Sequence, residues 1–201
     1  TREMLTLAIK VLDIEESEHI QLPLPEKPGA PKWDNARVTP ECATLIREAL
    51  DQGESIAAIS VPRCVREQET EAVQTLGDLY VVMDEGATDD GPLFVREGIR
   101  IPEARSKKVR GYRVLVNIEH NALANMLGDA ENPAHTEWEK TSSKYRDKYA
   151  WGPSMVDFMR ATGAGLIRLL SQNDEKDDRN VLADIFYIDI PENTDDLSEG
   201  V

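Results

Sequence analysis

Short apolar segments recur along the chain between polar turns, and their length and composition predict β-strands. The segments 78–83 and 112–118 are rich in Val, Leu, Ile and Tyr, which favour a pleated, buried backbone. The pair Glu97-Gly98 separates two shorter apolar segments and predicts a hairpin turn. The predicted strands cover 55–62, 78–83, 93–96, 99–101 and 112–118.

Helix signals alternate with these strands. Thr39 followed by Pro40 is typical of a cap and first turn, and Gly53 is placed to end the same helix. The segment 121–128 opens with an asparagine and closes with a glycine, which predicts a second, short helix. The first 128 residues of the chain therefore mix helices with strands.

Two further helices are predicted in the second half. Thr136 and Glu139 have the spacing of a capping box, so a helix is expected just after residue 135. From Pro153 onward, apolar residues at helical spacing predict one long helix. Gly163 and Gly165 weaken its middle by about 1 kcal/mol each, or allow a neighbouring segment to pack closely.

Composition divides the chain into four parts. Two extended apolar segments around an acidic turn predict an N-terminal hairpin over 1–25. Prolines make 26–36 a stiff connector, an α/β domain follows over 37–190, and an acidic tail over 191–201 has the composition of a disordered segment. We therefore expect an α+β fold in which a mixed sheet packs with helices.

Charge restricts the partners of the chain. Its 201 residues include 38 acidic and 23 basic side chains, a formal net charge of −15. Such a surface repels phosphate backbones over a Debye length of about 8 Å, so we expect no direct nucleic-acid binding. No apolar run approaches the roughly 20 residues of a membrane helix. We expect no membrane association.

The cysteines and the first residues point to the compartment. Cys42 and Cys64 belong to no paired motif, and no basic start with an apolar stretch resembles a secretory signal. We expect a cytoplasmic protein with two reduced thiols. The sequence opens on Thr1, and we expect it to be a segment of a longer polypeptide.

A polar tract between two apolar segments carries the first candidate site. Asp129, Glu131, His135 and Trp138 lie within ten residues, and no simple periodicity accounts for them. Oxygen and nitrogen donors at this spacing suit a divalent metal, although no further ligand completes the set. Polar turn residues more often have a structural role and orient a loop. The other interpretation is a loop that docks against a partner, and we predict that these four residues make that contact.

A basic cluster is the second candidate site. Seven Lys and Arg residues fall between positions 96 and 113, and they offer an anion its most favourable place on this acidic chain. We predict Arg96, Lys107 and Lys108 as catalytic cations that stabilise charge on a phosphoryl group held by another domain. The alternative is that these basic residues form a solvent-exposed surface, where their charges discourage the sheet edge from pairing with another chain.

Nucleotide-binding motifs are absent from the sequence. It contains neither G-x-x-x-x-G-K-[S/T] nor G-x-G-x-x-G, and no serine or cysteine lies in a nucleophile-elbow context. We expect that the chain does not bind ATP alone. No cofactor is expected within it.

Three segments resemble the C-terminal half of bacterial ATPases of the histidine-kinase, gyrase and heat-shock-chaperone type, abbreviated GHKL. They are 94–102 (FVREGIRIP), 110–113 (RGYR) and 127–138 (LGDAENPAHTEW), within a resemblance that covers roughly 55–190. The resemblance implies a transducer-like domain that follows an ATP-binding domain and is built as a two-layer sandwich of a mixed sheet and helices. Some members of this superfamily take part in defence against phage.

Departures from the superfamily shape that expectation. The ATP-binding domains of that superfamily carry a helical asparagine that binds Mg²⁺, and an aspartate followed by a glycine-rich lid that binds adenine. Neither feature has a match in this chain. The resemblance therefore implies that ATP and Mg²⁺ are bound mainly by an upstream domain or subunit, and that the parent protein can form a homodimer. Two alternatives stay open, which are a non-catalytic protein-interaction module with an acidic docking surface and a small metal-dependent enzyme.

Overall fold

The computed structural model describes residues 7–8, 10–11, 13–52, 55–84, 87, 91–102, 104 and 106–172. A six-stranded mixed sheet, a three-stranded antiparallel sheet and the helices packed on them form an α+β fold. The predicted fold class, a mixed sheet packed with helices, is confirmed. Within the described ranges, no helix is both long and apolar enough to cross a bilayer.

The large sheet has the strand order β1-β2-β5-β8-β6-β7, and the small sheet has the order β4-β3-β9. Neighbours in the large sheet are antiparallel except for β1 with β2 and β6 with β8. The strands are β1 Ile20–Gln21, β2 Ala57–Ser60, β3 Arg63–Glu67, β4 Val73–Thr75, β5 Asp78–Met83, β6 Leu93–Arg96, β7 Ile99–Arg100, β8 Tyr112–Ile118 and β9 Tyr149–Ala150.

Helices connect and cover these strands. A 3₁₀ turn spans Glu16–Glu18, and the helices are α1 Pro40–Asp51, α2 Asn121–Ala130, α3 Ser143–Lys148, α4 Gly152–Arg160 and α5 Thr162–Gln172. The predicted cap of α1 is confirmed, because the Thr39 hydroxyl accepts a hydrogen bond from the Cys42 N–H at 3.3 Å. This helix is the crossover that a parallel β1–β2 pair requires.

The main core lies on one face of the large sheet and includes the segment predicted as a connector. Trp33 is buried and stacks on Phe158 of α4 with 4.8 Å between ring centroids. The close approach depends on Gly165, since a Cβ there would lie 2.7 Å from the Trp33 Cδ1 atom. Residues before, within and after 26–36 therefore share one core. The glycine prediction of close packing is confirmed.

The N-terminal hairpin prediction is wrong. Residues 7–8 and 10–11 are helical, and β1 pairs with β2 in parallel and has no pairing with an earlier strand among the described residues. Leu7 and Val11 are four positions apart, so a helix places both on the same side, where they pack against Tyr80 and Leu115 on the second face of the sheet. Alternating and helical patterns cannot be distinguished in so short an apolar stretch.

Two predicted helices also differ from the structure. No helix begins directly after residue 135, because the Thr136 N–H donates to the Asn132 side-chain oxygen within a closed loop. The next helix starts later, where the Ser142 hydroxyl accepts from the Tyr145 N–H. The long helix predicted from Pro153 is two helices, α4 and α5, which meet at Ala161. The apolar stretch and tail after residue 172 lie outside the described residues.

Candidate functional site

Arg96 ends β6 and is held by two carboxylates. Its Nε donates to the Glu131 Oε1 atom at 2.5 Å and its Nη2 to the Oε2 atom at 3.0 Å, a bidentate pair, while Nη1 donates to Glu97 at 2.5 Å. Gly128 in α2 makes room, since a Cβ there would approach the Arg96 Cζ atom to 3.3 Å. The hydrogen bonds that Arg96 donates to the Glu131 carboxylate raise the pKa of Arg96.

Glu131 connects this arginine to the surface. Its side chain is only 1% exposed, and it also accepts from the His135 Nδ1 atom at 2.7 Å. Burial alone would raise the pKa of Glu131, but the hydrogen bonds from Arg96 and His135 hold it below the usual value. The His135 side chain is 56% exposed, so one line of contacts runs from the sheet to solvent.

The Glu131 loop, which we define as residues 128–138, is closed by its own backbone. Glu131 and Trp138 form an antiparallel bridge, and Asn132 N–H donates to the Glu137 carbonyl at 3.0 Å. Trp138 is 1% exposed and meets Phe94 edge to face at 5.2 Å. Its ring therefore anchors the loop inside the fold, and His135 is the predicted docking residue that the loop presents to solvent.

Asp129 faces a different group of residues. Its Oδ2 atom accepts from the Lys148 Nζ at 2.6 Å and from the Tyr149 hydroxyl at 2.7 Å. The hydrogen bond that Lys148 donates to Asp129 is the main cause of the raised pKa of Lys148. Burial, reinforced by Asp129, raises the pKa of Tyr149 to about 12. Asp129 and Glu131 thus orient separate parts of the fold, and the described residues contain no group of three His, Cys, Asp or Glu suited to a metal ion.

The predicted basic cluster divides into buried and exposed parts. Arg96 is 7% exposed and directed into the fold. Lys107 and Lys108 are exposed in the irregular segment before β8. Residue 105 lies outside the described residues. The three predicted cations are therefore one paired arginine and two surface lysines.

A second site was not predicted. A cavity of about 240 Å³ lies beside the connector segment and is lined by four basic residues and a single acidic residue. We call it the Arg37–Arg63 cavity. Its charged lining consists of Lys27, Lys32, Arg37, Arg63 and Asp34, and the free thiol of Cys64 borders it.

The two arginines of this cavity are buried against carbonyl oxygens. Arg37 is 5% exposed, and its Nη1 donates to the Pro62 carbonyl at 2.5 Å. Arg63 is 1% exposed, and its Nε and Nη2 donate to the Val61 carbonyl at 3.2 and 3.1 Å. Both guanidinium groups lie over the Phe158 ring, at 5.6 and 5.1 Å from its centroid.

Sequence reasoning missed this cavity because its parts come from distant segments. One signal was present, since two lysines and an arginine accompany the prolines of 26–37 in a chain of net charge −15. Burial lowers the pKa of Arg63 to about 9, and the neighbouring Arg37 contributes in the same direction. Both arginines remain charged at neutral pH.

Comparison of the chain with protein-family models, with curated proteins and with solved structures finds no match.

Proposed function

We propose that this chain is the transducer-like region of a larger cytoplasmic ATPase of the GHKL type. In this proposal, an upstream domain or subunit holds ATP and Mg²⁺, and the chain relays the nucleotide state to a protein partner. The resemblance of segments 94–102, 110–113 and 127–138 supports this identity, and it extends the proposal to a role in defence against phage.

The line of contacts from Arg96 through Glu131 to His135 carries the proposal. It joins the end of a sheet strand to an exposed side chain through hydrogen bonds of 2.5 to 3.0 Å, and closed backbone bonds hold the loop around it. A displacement at one end therefore moves the other end. Glu131 is buried and bound to a guanidinium. Such an environment favours a structural connection over a group that exchanges protons with a substrate.

Lys107 is the residue of this chain that best fits a contact with the phosphates of a nucleotide held elsewhere. It is exposed, whereas Arg96 already donates to two carboxylates. Lys107 pairs with an anion in one nucleotide state and with water in the other, and the difference biases the orientation of the two domains. Lys108 is the second candidate for the same contact.

The test is ATP turnover by the full native gene product. Lys107→Ala should lower turnover by about 10²-fold, the usual effect of losing one preorganised donor. Arg100→Ala is the matched control, because Arg100 is exposed on the neighbouring β7 and should leave turnover unchanged. Equal turnover in Lys107→Ala, Lys108→Ala and the control would remove the phosphate contact. A native product that binds no nucleotide would overturn the ATPase proposal as a whole.

A non-catalytic interaction module is the alternative. The exposed imidazole of His135, held by a buried carboxylate on an acidic protein, favours it as a recognition point for a partner. In that case His135→Ala would abolish partner capture by the native product, and the product would show no response to ATP.

A further inference from the structure

Arg63 and Arg37 carry positive charge into the core without a matching carboxylate. Among the described residues, neither guanidinium has a carboxylate within ion-pair distance, and their hydrogen bonds go to the carbonyls of Val61, Pro62 and Pro23 and to the Met159 sulfur. Carbonyl dipoles compensate a buried cation only in part. Two such cations over a single Phe158 ring repel each other and are costly to bury.

The cavity next to them extends the excess of positive charge to the surface. Lys27 and Lys32 are exposed at its rim, and four basic residues stand against the one carboxylate of Asp34. That carboxylate accepts a hydrogen bond from the Arg37 backbone N–H at 3.2 Å. A cavity with three excess positive charges, on a chain of net charge −15, is a strong local attraction for an anion.

Size and chemistry restrict the ligand. At about 240 Å³ the cavity is smaller than the usual range of roughly 300 to 1,000 Å³ for drug-sized ligands, so a nucleotide does not fit inside it. A small tetrahedral oxyanion does fit. The two buried guanidinium groups attract an oxyanion through their charge, and the lysines add point charges that favour a dianion.

We propose that the Arg37–Arg63 cavity is a binding site for a phosphate group, either free or on a small phosphate ester. Arg37 and Arg63 supply the charge at the inner wall, and Lys27 and Lys32 supply it at the entrance. The site is independent of the nucleotide that the parent ATPase would hold.

The first test measures thermal stability and calorimetric binding with inorganic phosphate, against chloride at equal ionic strength. Phosphate should raise the Tm by several degrees and bind saturably. The double variant Lys27→Ala/Lys32→Ala changes only exposed residues and should weaken binding at least tenfold. The charge-matched control Arg100→Ala/Arg146→Ala also removes two exposed positive charges, outside the cavity, and should bind as the wild type does.

A second test uses the thiol at the cavity wall. In a Cys42→Ser background, Cys64 is the remaining cysteine, and phosphate should slow its alkylation by iodoacetamide several-fold. Glycerol phosphate distinguishes the two sources: protection by it shows that an ester fits, and protection by inorganic phosphate alone assigns the site to the free ion. An unchanged alkylation rate with both compounds, or equal phosphate binding by both double variants, would overturn the proposal.

Discussion

Two arginine sites in this molecule handle buried positive charge in opposite ways. Arg96 is bound by Glu131 on two hydrogen bonds and by Glu97 on a third. Among the described residues, the guanidinium groups of Arg37 and Arg63 donate to carbonyl and sulfur acceptors, lie over an aromatic ring and have no carboxylate within ion-pair distance. The first site is complete within the chain, whereas the second has its charge compensated only in part.

The difference indicates separate roles. A buried pair with good geometry fixes how β6 meets the Glu131 loop, and breaking it leaves a buried charge alone. A buried cation without a carboxylate costs stability, and proteins retain such groups where function requires them. Substitutions at each site test whether the two roles are separate.

The largest effect is expected from Arg96→Met. It leaves the Glu131 carboxylate, 1% exposed, without its main partner, and the free energy of unfolding should fall by about 3 to 5 kcal/mol. Urea denaturation measures it, with Arg100→Met as the exposed control, expected to change stability by less than about 0.5 kcal/mol. Equal losses in the two variants would mean that the Arg96–Glu131 pair contributes nothing to stability.

Gly165→Ala should have the next largest effect. The new Cβ would lie 2.7 Å from the Trp33 Cδ1 atom, and overpacking of this kind costs about 1 to 3 kcal/mol. Because Lys32 and Asp34 flank Trp33, the same shift should weaken phosphate binding at the cavity. Gly91→Ala is the control, since its nearest neighbour is 3.4 Å away. Calorimetry on both variants would show whether packing and anion binding are linked.

Arg63→Met should change stability little, or raise it by about 1 kcal/mol. Methionine keeps much of the packing on Phe158 and removes the buried charge, and the Val61 carbonyl still accepts from the Gly77 N–H at 3.3 Å. The variant should also lose the stabilisation by phosphate. A loss of 3 kcal/mol or more in urea denaturation would show that Arg63 supports the core rather than a ligand.

The smallest expected effect is a pH dependence at the first site. The pKa of Glu131 is lower in the folded protein than in the unfolded chain, so its contribution to stability is present above the unfolded pKa of about 4.3. That contribution is lost as the pH falls through the lower, folded value. Urea midpoints between pH 7 and pH 3 should fall less steeply in Glu131→Gln than in the wild type. Parallel curves would contradict this assignment.

Local patterns sufficed for much of the fold. The limits of β5 and β8 follow from segments rich in Val, Leu, Ile and Tyr, and the start of α1 follows from Thr39 and Pro40. The N-terminal segment was misjudged because Leu7 and Val11 fit either period until the sheet face that covers them is known.

The residues of the first site could be named from the sequence, but their partners could not, and the residues of the cavity were not named at all. Arg96 and Glu131 are 35 residues apart, and only the meeting of β6 with the end of α2 brings them together. In the sequence, Arg63 directly follows the predicted strand 55–62, where a charged residue is expected to be exposed. Its burial depends on Phe158 in a distant helix. Whether a charged side chain meets an opposite charge depends on the tertiary structure, and it cannot be inferred from the spacing of residues in the sequence.

The most direct test of the contrast between the two sites is a titration with inorganic phosphate followed by the amide signals of the ¹⁵N-labelled protein. A phosphate site in the Arg37–Arg63 cavity predicts saturable shifts in residues 27–37 and 63–64, with residues 128–138 unchanged. Shifts centred on 128–138, or no saturable shift in the cavity residues, would contradict it.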